Sequence, residues 1–216
     1  MQDVFLLGDS IFDNAPYVPK NTEVRAQLQA LLGDEHRVVL LARDGDVLAD
    51  VRAQVARLRK MKTGFGTLVV SCGGNDVLGL VGYMQSNVKS VLEATEMLAS
   101  WQAEFRFEYR RMLDEVLTLG LPVAISTIYD CVPGLSPGLR TALAVFNDVI
   151  LREAVARRLP VLDLRVVCDD PADYSAASPI EPSQRGGAKI AGIIAIWVRS
   201  QNPTLQRTVV FGSSVA

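Results

Sequence analysis

Histidine is nearly absent from this 216-residue chain: His36 is the only one. A single imidazole leaves little choice for a histidine-based proton transfer. Cysteine is scarce too, with Cys72, Cys131 and Cys168 odd in number, far apart and without a C-x-x-C pair. That pattern argues against a disulfide framework and against a zinc knuckle, and reads as buried thiols in a reducing compartment. Neither sign of charge is in excess, since 22 basic side chains face 24 acidic ones for a net charge of -2. Nothing electrostatic therefore recommends a nucleic acid or an anionic membrane as partner. Long apolar runs are also missing. Ile190 to Val198 falls well below the roughly 18 residues of a membrane span. The short run Val4 to Leu7 has no basic segment before it, so no signal peptide is expected. The chain is expected to be cytoplasmic, without a membrane span and without a cofactor.

What the chain has is apolar residues, 49% of the total, enough for one α/β domain with a substantial core. We read residues 1–216 as a single domain, with 201–216 as a C-terminal extension bearing an add-on strand at Thr208 to Phe211. Strand-length runs at Val4–Leu7, Val38–Ala42, Thr67–Cys72, Val123–Ile128 and Pro160–Leu164 alternate with helical periodicities. Asn21 is expected to cap a helix carrying Val24, Leu28, Leu31 and Leu32 inward, and Asp46 a second carrying Val47, Val51, Val55 and Leu58. From Ser86 to Leu119 the pattern is helical, with a break expected near Ala99 or Ser100. There Met84, Trp101, Phe105, Phe107, Tyr109 and Met112 read as a core stripe rather than an acyl groove. Asn147 interrupts the apolar face of the helix Leu139–Leu159 and is expected to bond a nearby backbone. The last helix is placed from Pro182. Alternating strands and helices predict a three-layer, doubly wound α/β fold: a five-stranded parallel sheet with helices on both faces and all strand C-termini along one edge.

Two strands end in the same way at that edge. Val4-Phe5-Leu6-Leu7 stops at Gly8-Asp9-Ser10, and Leu68-Val69-Val70-Ser71-Cys72 stops at Gly73-Gly74-Asn75-Asp76. With Gly45 in Ala42-Arg43-Asp44-Gly45-Asp46, these blocks resemble the SGNH (GDSL) esterase and lipase family. The resemblance implies a flavodoxin-like strand order of 2-1-3-4-5, Ser10 as nucleophile, and an oxyanion hole made by the Ser10 and Gly45 N–H groups and the Asn75 amide. Asp9, Gly73, Gly74 and Asp76 would support that site. The fourth block departs from the pattern. Where the family reads Asp-x-x-His-Pro, this chain reads Ser178-Pro179-Ile180-Glu181-Pro182, with Glu181 in place of the histidine and Ser178 in place of its aspartate.

His36 cannot fill the vacancy. It opens the second strand, and five residues at about 3.3 Å each put it roughly 17 Å from the edge that carries Ser10. Glu181 is the remaining candidate base. A carboxylate has no tautomer to select, so the loss of histidine and aspartate together is one coherent change. Asp9, Asp13, Asp44, Asp46 and Asp76 stand at the same edge and would raise its pKa. The competing reading makes Glu181 a residue that only favours the following helix N-terminus. Three functions follow from these options: a serine hydrolase of a small ester or acylated sugar, a non-catalytic protein holding an acyl or carbohydrate ligand in the same cleft, and a metal-dependent hydrolase built on the acidic residues.

Overall fold

Period-two alternation in the strands divides the apolar side chains between two cores. A computed structural model describes residues 1–61, 65–200 and 208–212. Strands β1 (Gln2–Gly8), β2 (His36–Leu40), β3 (Gly66–Ser71), β4 (Val123–Ser126), β5 (Val161–Leu162) and β6 (Val210–Phe211) form one sheet in the order β2-β1-β3-β4-β5-β6. Every pairing is parallel. Between the strands run helices α1 (Val24–Leu32), α2 (Val51–Lys60), α3 (Gly74–Leu78), α4 (Val91–Leu117), α5 (Pro137–Arg157), α6 (Leu164–Val167) and α7 (Gln184–Arg199). Phe5, Leu7, Leu68, Val70 and Ile125 point to a core shared with α2, α4 and α5. Val4, Leu6, Val69 and Ala124 point to the opposite core, shared with α1 and α7. The three-layer architecture therefore follows from residue parity in buried parallel strands.

The add-on strand expected at Thr208 to Phe211 forms as β6 and joins the five expected strands, so the sheet has six. Val161 and Asp163 donate their backbone N–H groups to the carbonyls of Val209 and Phe211, both at 2.8 Å, so the open edge of β5 is closed by the returning chain. Of the C-terminal extension, residues 201–207 and 213–216 lie outside the described residues.

Helix α4 is unbroken across Ala99 and Ser100, correcting the expected interruption. No Gly or Pro occurs within it, and Ser90 caps its start by accepting the Glu93 N–H at 3.1 Å. Phe105, Tyr109 and Met112 are core residues, whereas Phe107 is exposed. Asp46 does not cap α2, which begins five residues later at Val51 with Asp50 in the N-cap position. Asn21 does not cap α1 either: the side chain of Asn14 accepts the Val24 N–H at 2.9 Å. Leu31 is exposed rather than inward. Asn147 clamps the Ile128 peptide, accepting its N–H and donating to its carbonyl at 2.8 Å each, as its place on an apolar face predicts. His36 pairs with Gln2 at the start of β1, the end away from Ser10.

Candidate active site

The turn after β1 is built around a backbone conformation that favours glycine. Gly8 has φ +126, and a Cβ there would overlap the Ser71 carbonyl of β3. Gln54 of α2 grips the same peptide: its Oε1 accepts the Gly8 N–H at 2.8 Å and its Nε2 donates to the Gly8 carbonyl at 2.7 Å. The next residue closes the turn, with Ile11 N–H donating to Asp9 Oδ1 at 3.1 Å and both Phe12 and Asp13 donating to the Asp9 carbonyl at 3.1 Å. Ser10 is thereby held at the rim, 6% exposed. Its backbone N–H has no intramolecular acceptor among the described residues. The same is true of Gly45, an exposed turn residue with φ +83.

The tip of β3 is built in a parallel way. Gly73 has φ +116, and a Cβ there would stand 2.9 Å from the Phe105 ring. Asn75 donates one amide hydrogen to the Asp46 carbonyl at 2.9 Å, tying it to the loop that carries Gly45. Asp76 accepts the Leu48 N–H at 3.1 Å. It is a tether between the second and third strand tips.

Glu181 arrives from the far end of the chain, and three successive carbonyls hold it there. Ile180 C=O accepts the Tyr129 hydroxyl at 2.6 Å, Glu181 C=O accepts the Ser175 N–H at 2.8 Å, and Pro182 C=O accepts the Asn14 amide at 3.2 Å. Ser178 contributes only its carbonyl, which accepts the Glu181 N–H at 3.0 Å. Helix α7 begins at Gln184 and is capped by the Ser183 hydroxyl on the Gly186 N–H, so Glu181 is not that helix's cap.

The Glu181 residue is 4% exposed, and its Oε2 has no hydrogen-bond partner among the described residues. It takes part in no salt bridge among the described residues. Burial raises its pKa above the usual carboxylate range, the Ser10 hydroxyl lowers it, and the charge of Asp44 raises it. The Ser10 hydroxyl and the carboxylate line the same cavity. Of the five acidic residues at this edge, Asp44 and Asp9 are the ones whose charges are coupled to Glu181; the Asp44 Oδ2 accepts the Tyr17 hydroxyl at 2.6 Å. Asp9 is displaced further, to about 8, mainly by burial and then by the charges of Glu181 and Asp76 against the opposing Ile11 N–H. At neutral pH Asp9 is mostly a neutral acid.

Ser10, Asp9, Gly74, Asn75 and Glu181 line one cavity of about 100 Å³, whose remaining wall is mostly apolar and includes Val77, Val81, Met84, Ile128 and Leu139. Gly45, Gly73, Asp76 and Ser178 stand outside that wall. Met84, grouped by its sequence pattern with the core stripe, packs against that core and also lines the cavity. Gln54, Asn14, Tyr17 and Tyr129 carry positioning roles that the motifs do not mark. Gln54 did leave a signal: a polar side chain on the stripe of Val51, Val55 and Leu58 should have a buried partner.

Among the described residues no group of three or more His, Cys, Asp or Glu is arranged to hold a metal ion. No helix there is long and apolar enough to cross a membrane.

The model of the GDSL-like lipase/acylhydrolase family matches residues 6–189. Solved structures share the fold at low identity. A member of the lipolytic protein G-D-S-L family from Veillonella parvula has a TM-score of 0.70 at 14% identity, covering 92% of this chain and 100% of its own. An extracellular lipase from Streptomyces rimosus has 0.63 at 18% identity, with 92% and 99% covered. The aryl esterase of M. smegmatis has 0.65 at 12%, with 93% and 99% covered. Among curated proteins, none matches the sequence.

Proposed function

Since this chain belongs to the GDSL-like lipase/acylhydrolase family, we propose that it is a serine ester hydrolase in which Glu181 does the work usually given to histidine. The observation that carries this reading is the Glu181 carboxylate: buried, clamped through its backbone, without a cation partner among the described residues and lining the same cavity as Ser10. A buried carboxylate without a counter-ion is unfavourable. A loop that had merely lost its histidine would have no reason to retain one. Burial also moves its proton affinity toward neutral pH, where a carboxylate serves better as a base.

In the proposed reaction Glu181 takes the Ser10 proton as Oγ attacks the ester carbonyl, giving a tetrahedral oxyanion. The N–H groups of Ser10 and Gly45 and the free amide hydrogen of Asn75 are the donors for it. Collapse expels the alcohol, which receives the proton back from Glu181 and leaves an acyl group on Ser10. Water then repeats the sequence and releases the acid. No aspartate partner is required, consistent with the passive role of Ser178. The substrate class is a small ester or acylated small molecule whose acyl side enters the apolar cavity.

Hydrolysis of p-nitrophenyl butyrate tests the assignment. Ser10→Ala is expected to lower kcat by ~10³-fold or more and Glu181→Gln by roughly 10²- to 10⁴-fold. The pair Ser178→Asp with Glu181→His should recover turnover relative to Glu181→Gln. Wild-type turnover should rise with pH as Glu181 loses its proton. Activity that survives in Ser10→Ala would remove the nucleophile from this scheme. Absence of turnover with any ester, alongside retained ligand binding, would make the protein a non-catalytic binder.

A further inference from the structure

One polar side chain on the wall of the Ser10 cavity takes no part in the proposed reaction. Ser10 attacks, Glu181 carries the proton and Asn75 donates to the oxyanion, whereas Asp9, only 2% exposed on the same wall, has no step of its own. Its backbone is spent on the turn: the N–H donates to the Ser71 carbonyl at 3.2 Å, and the carbonyl accepts from Phe12 and Asp13. Of the carboxyl oxygens, Oδ1 accepts the Ile11 N–H at 3.1 Å. Oδ2 has no partner among the described residues and faces Gly74, where an added Cβ would stand 3.9 Å away. Gly74 lines the cavity too.

The turn itself needs only a short side-chain acceptor, which Asn or Ser also supplies. It does not need an acid, and this one stands among acids: the ionisable groups coupled to it are Glu181, Asp76, Cys72 and Tyr129, none of them basic. In such surroundings a carboxyl keeps its proton and becomes a donor, with Oδ2 as the oxygen left to carry the hydrogen. An O–H that opens on a ligand cavity bonds to water until a ligand replaces it. A chain of methylenes expels that water and leaves the donor bare, which costs affinity.

Resting on the hydrolase reading, we propose that Asp9 donates a hydrogen bond to an ether, hydroxyl or carbonyl oxygen on the acyl group, so that the substrate is an ester of a short oxygenated acid. Asp9 adjoins the nucleophile in the chain and the cavity is only about 100 Å³, which puts that oxygen on the second or third carbon of the acid. The apolar walls enclose the rest of the acyl group, and Asp9 chooses between acyl groups of equal size.

The test uses pairs of esters in which one acyl methylene is exchanged for an ether oxygen: p-nitrophenyl methoxyacetate against butyrate, and p-nitrophenyl 3-methoxypropionate against pentanoate. The readout is the ratio of kcat/KM, ether over alkyl, compared between proteins, so that the intrinsic reactivity of each ester and the titration of Glu181 both cancel. Asp9→Asn, which keeps an N–H donor, should hold the wild-type ratio within about twofold, and Asp9→Leu should lower it by about tenfold or more in at least one pair. Should the leucine variant fold poorly, the wild type alone suffices: its ratio should fall as the pH passes about 8 and Asp9 turns from donor to acceptor, and should stay flat in Asp9→Asn. Binding is read in Ser10→Ala protein, where the calorimetric affinity for methyl methoxyacetate relative to methyl butyrate should drop about fivefold when Asp9→Leu is added. Ratios that neither Asp9→Leu nor pH moves overturn the proposal. An ether preference in binding that depends on Asp9, without turnover of any ester, would overturn the hydrolase reading while supporting the Asp9 contact.

Discussion

The nucleophile and the proposed base reach the same cavity by opposite means. Ser10 sits two residues beyond a sheet strand, and its place is set by local backbone geometry: the positive φ of Gly8, the contact with Ser71 and the Asp9 turn. Glu181 follows a long irregular segment, and three carbonyls around it are taken by groups from Tyr129, Ser175 and Asn14. The first arrangement is steep, because one added methyl group has nowhere to go. The second is distributed over several bonds, each worth only about 1 kcal/mol. Damage to the nucleophile turn should therefore be abrupt and chiefly structural, and damage to the base loop graded and chiefly kinetic.

The steepest effect is expected at Gly8. Gly8→Ala forces a Cβ into the Ser71 carbonyl at a φ that alanine resists, and should destabilise the protein by about 3–5 kcal/mol in urea denaturation. Gly45→Ala is the control, since its φ is also positive but nothing lies within 4 Å of the added Cβ. It should lose only about 1 kcal/mol. Equal losses at the two glycines would show that backbone strain alone, not contact with β3, governs the turn.

This difference also accounts for what could be read from the sequence. The layer structure is encoded in short-range patterns, alternation within strands and helical periodicity, whereas the strand order and the convergence of Ser10, Asn75 and Glu181 are implied only by the resemblance of a few short blocks to the family. The sixth strand forms within the expected add-on segment Thr208 to Phe211, and what local periodicity does not register is that the vacant hydrogen-bonding edge of β5 receives it. Tyr129 and Asn14 act through backbone carbonyls at positions 180 and 182, and a carbonyl acceptor has no residue type. Met84 packs against the core of Phe105, Tyr109 and Met112 as expected, and only the path of the 81–88 segment also brings it to the cavity at Ser10.

An intermediate effect is expected from pH at Asp9, which belongs to the steep side of the contrast. Its ordinary carboxyl pKa is 3.8, and in the folded protein it is raised to about 8. Between those values the unfolded chain ionises while the folded one keeps the proton, so the unfolded state binds fewer protons and stability falls as pH rises. The loss begins near the unfolded value and is complete above the folded one. Asp9→Asn removes the titration and should raise Tm relative to wild type, by little at pH 4 and most at pH 8. In the wild type, ionisation above about 8 also brings a negative charge into the cavity where the oxyanion forms. Turnover should decline there, and Asp9→Asn should flatten that alkaline limb. A Tm difference independent of pH would contradict the raised pKa.

The smallest effect is expected at the loop clamp. Tyr129→Phe keeps the ring, including its edge-on packing against Tyr174 at 5.0 Å, and deletes only the hydroxyl that holds the Ile180 carbonyl. One lost bond of this kind costs about 0.5–1.5 kcal/mol, or a few degrees in Tm for a chain of this length. Because the carbonyls of Glu181 and Pro182 remain held, the carboxylate should drift rather than leave. We expect kcat on a butyrate ester to fall severalfold, with KM nearly unchanged. Asn14→Ser, which shortens the link to Pro182, should act in the same direction, and the two substitutions together should lose more in kcat than their separate effects combined, since each alone leaves the loop partly tethered. A merely structural clamp would lower Tm in both variants and leave kcat at permissive temperature untouched, and would thereby separate the folding of this loop from the chemistry proposed for the glutamate it carries.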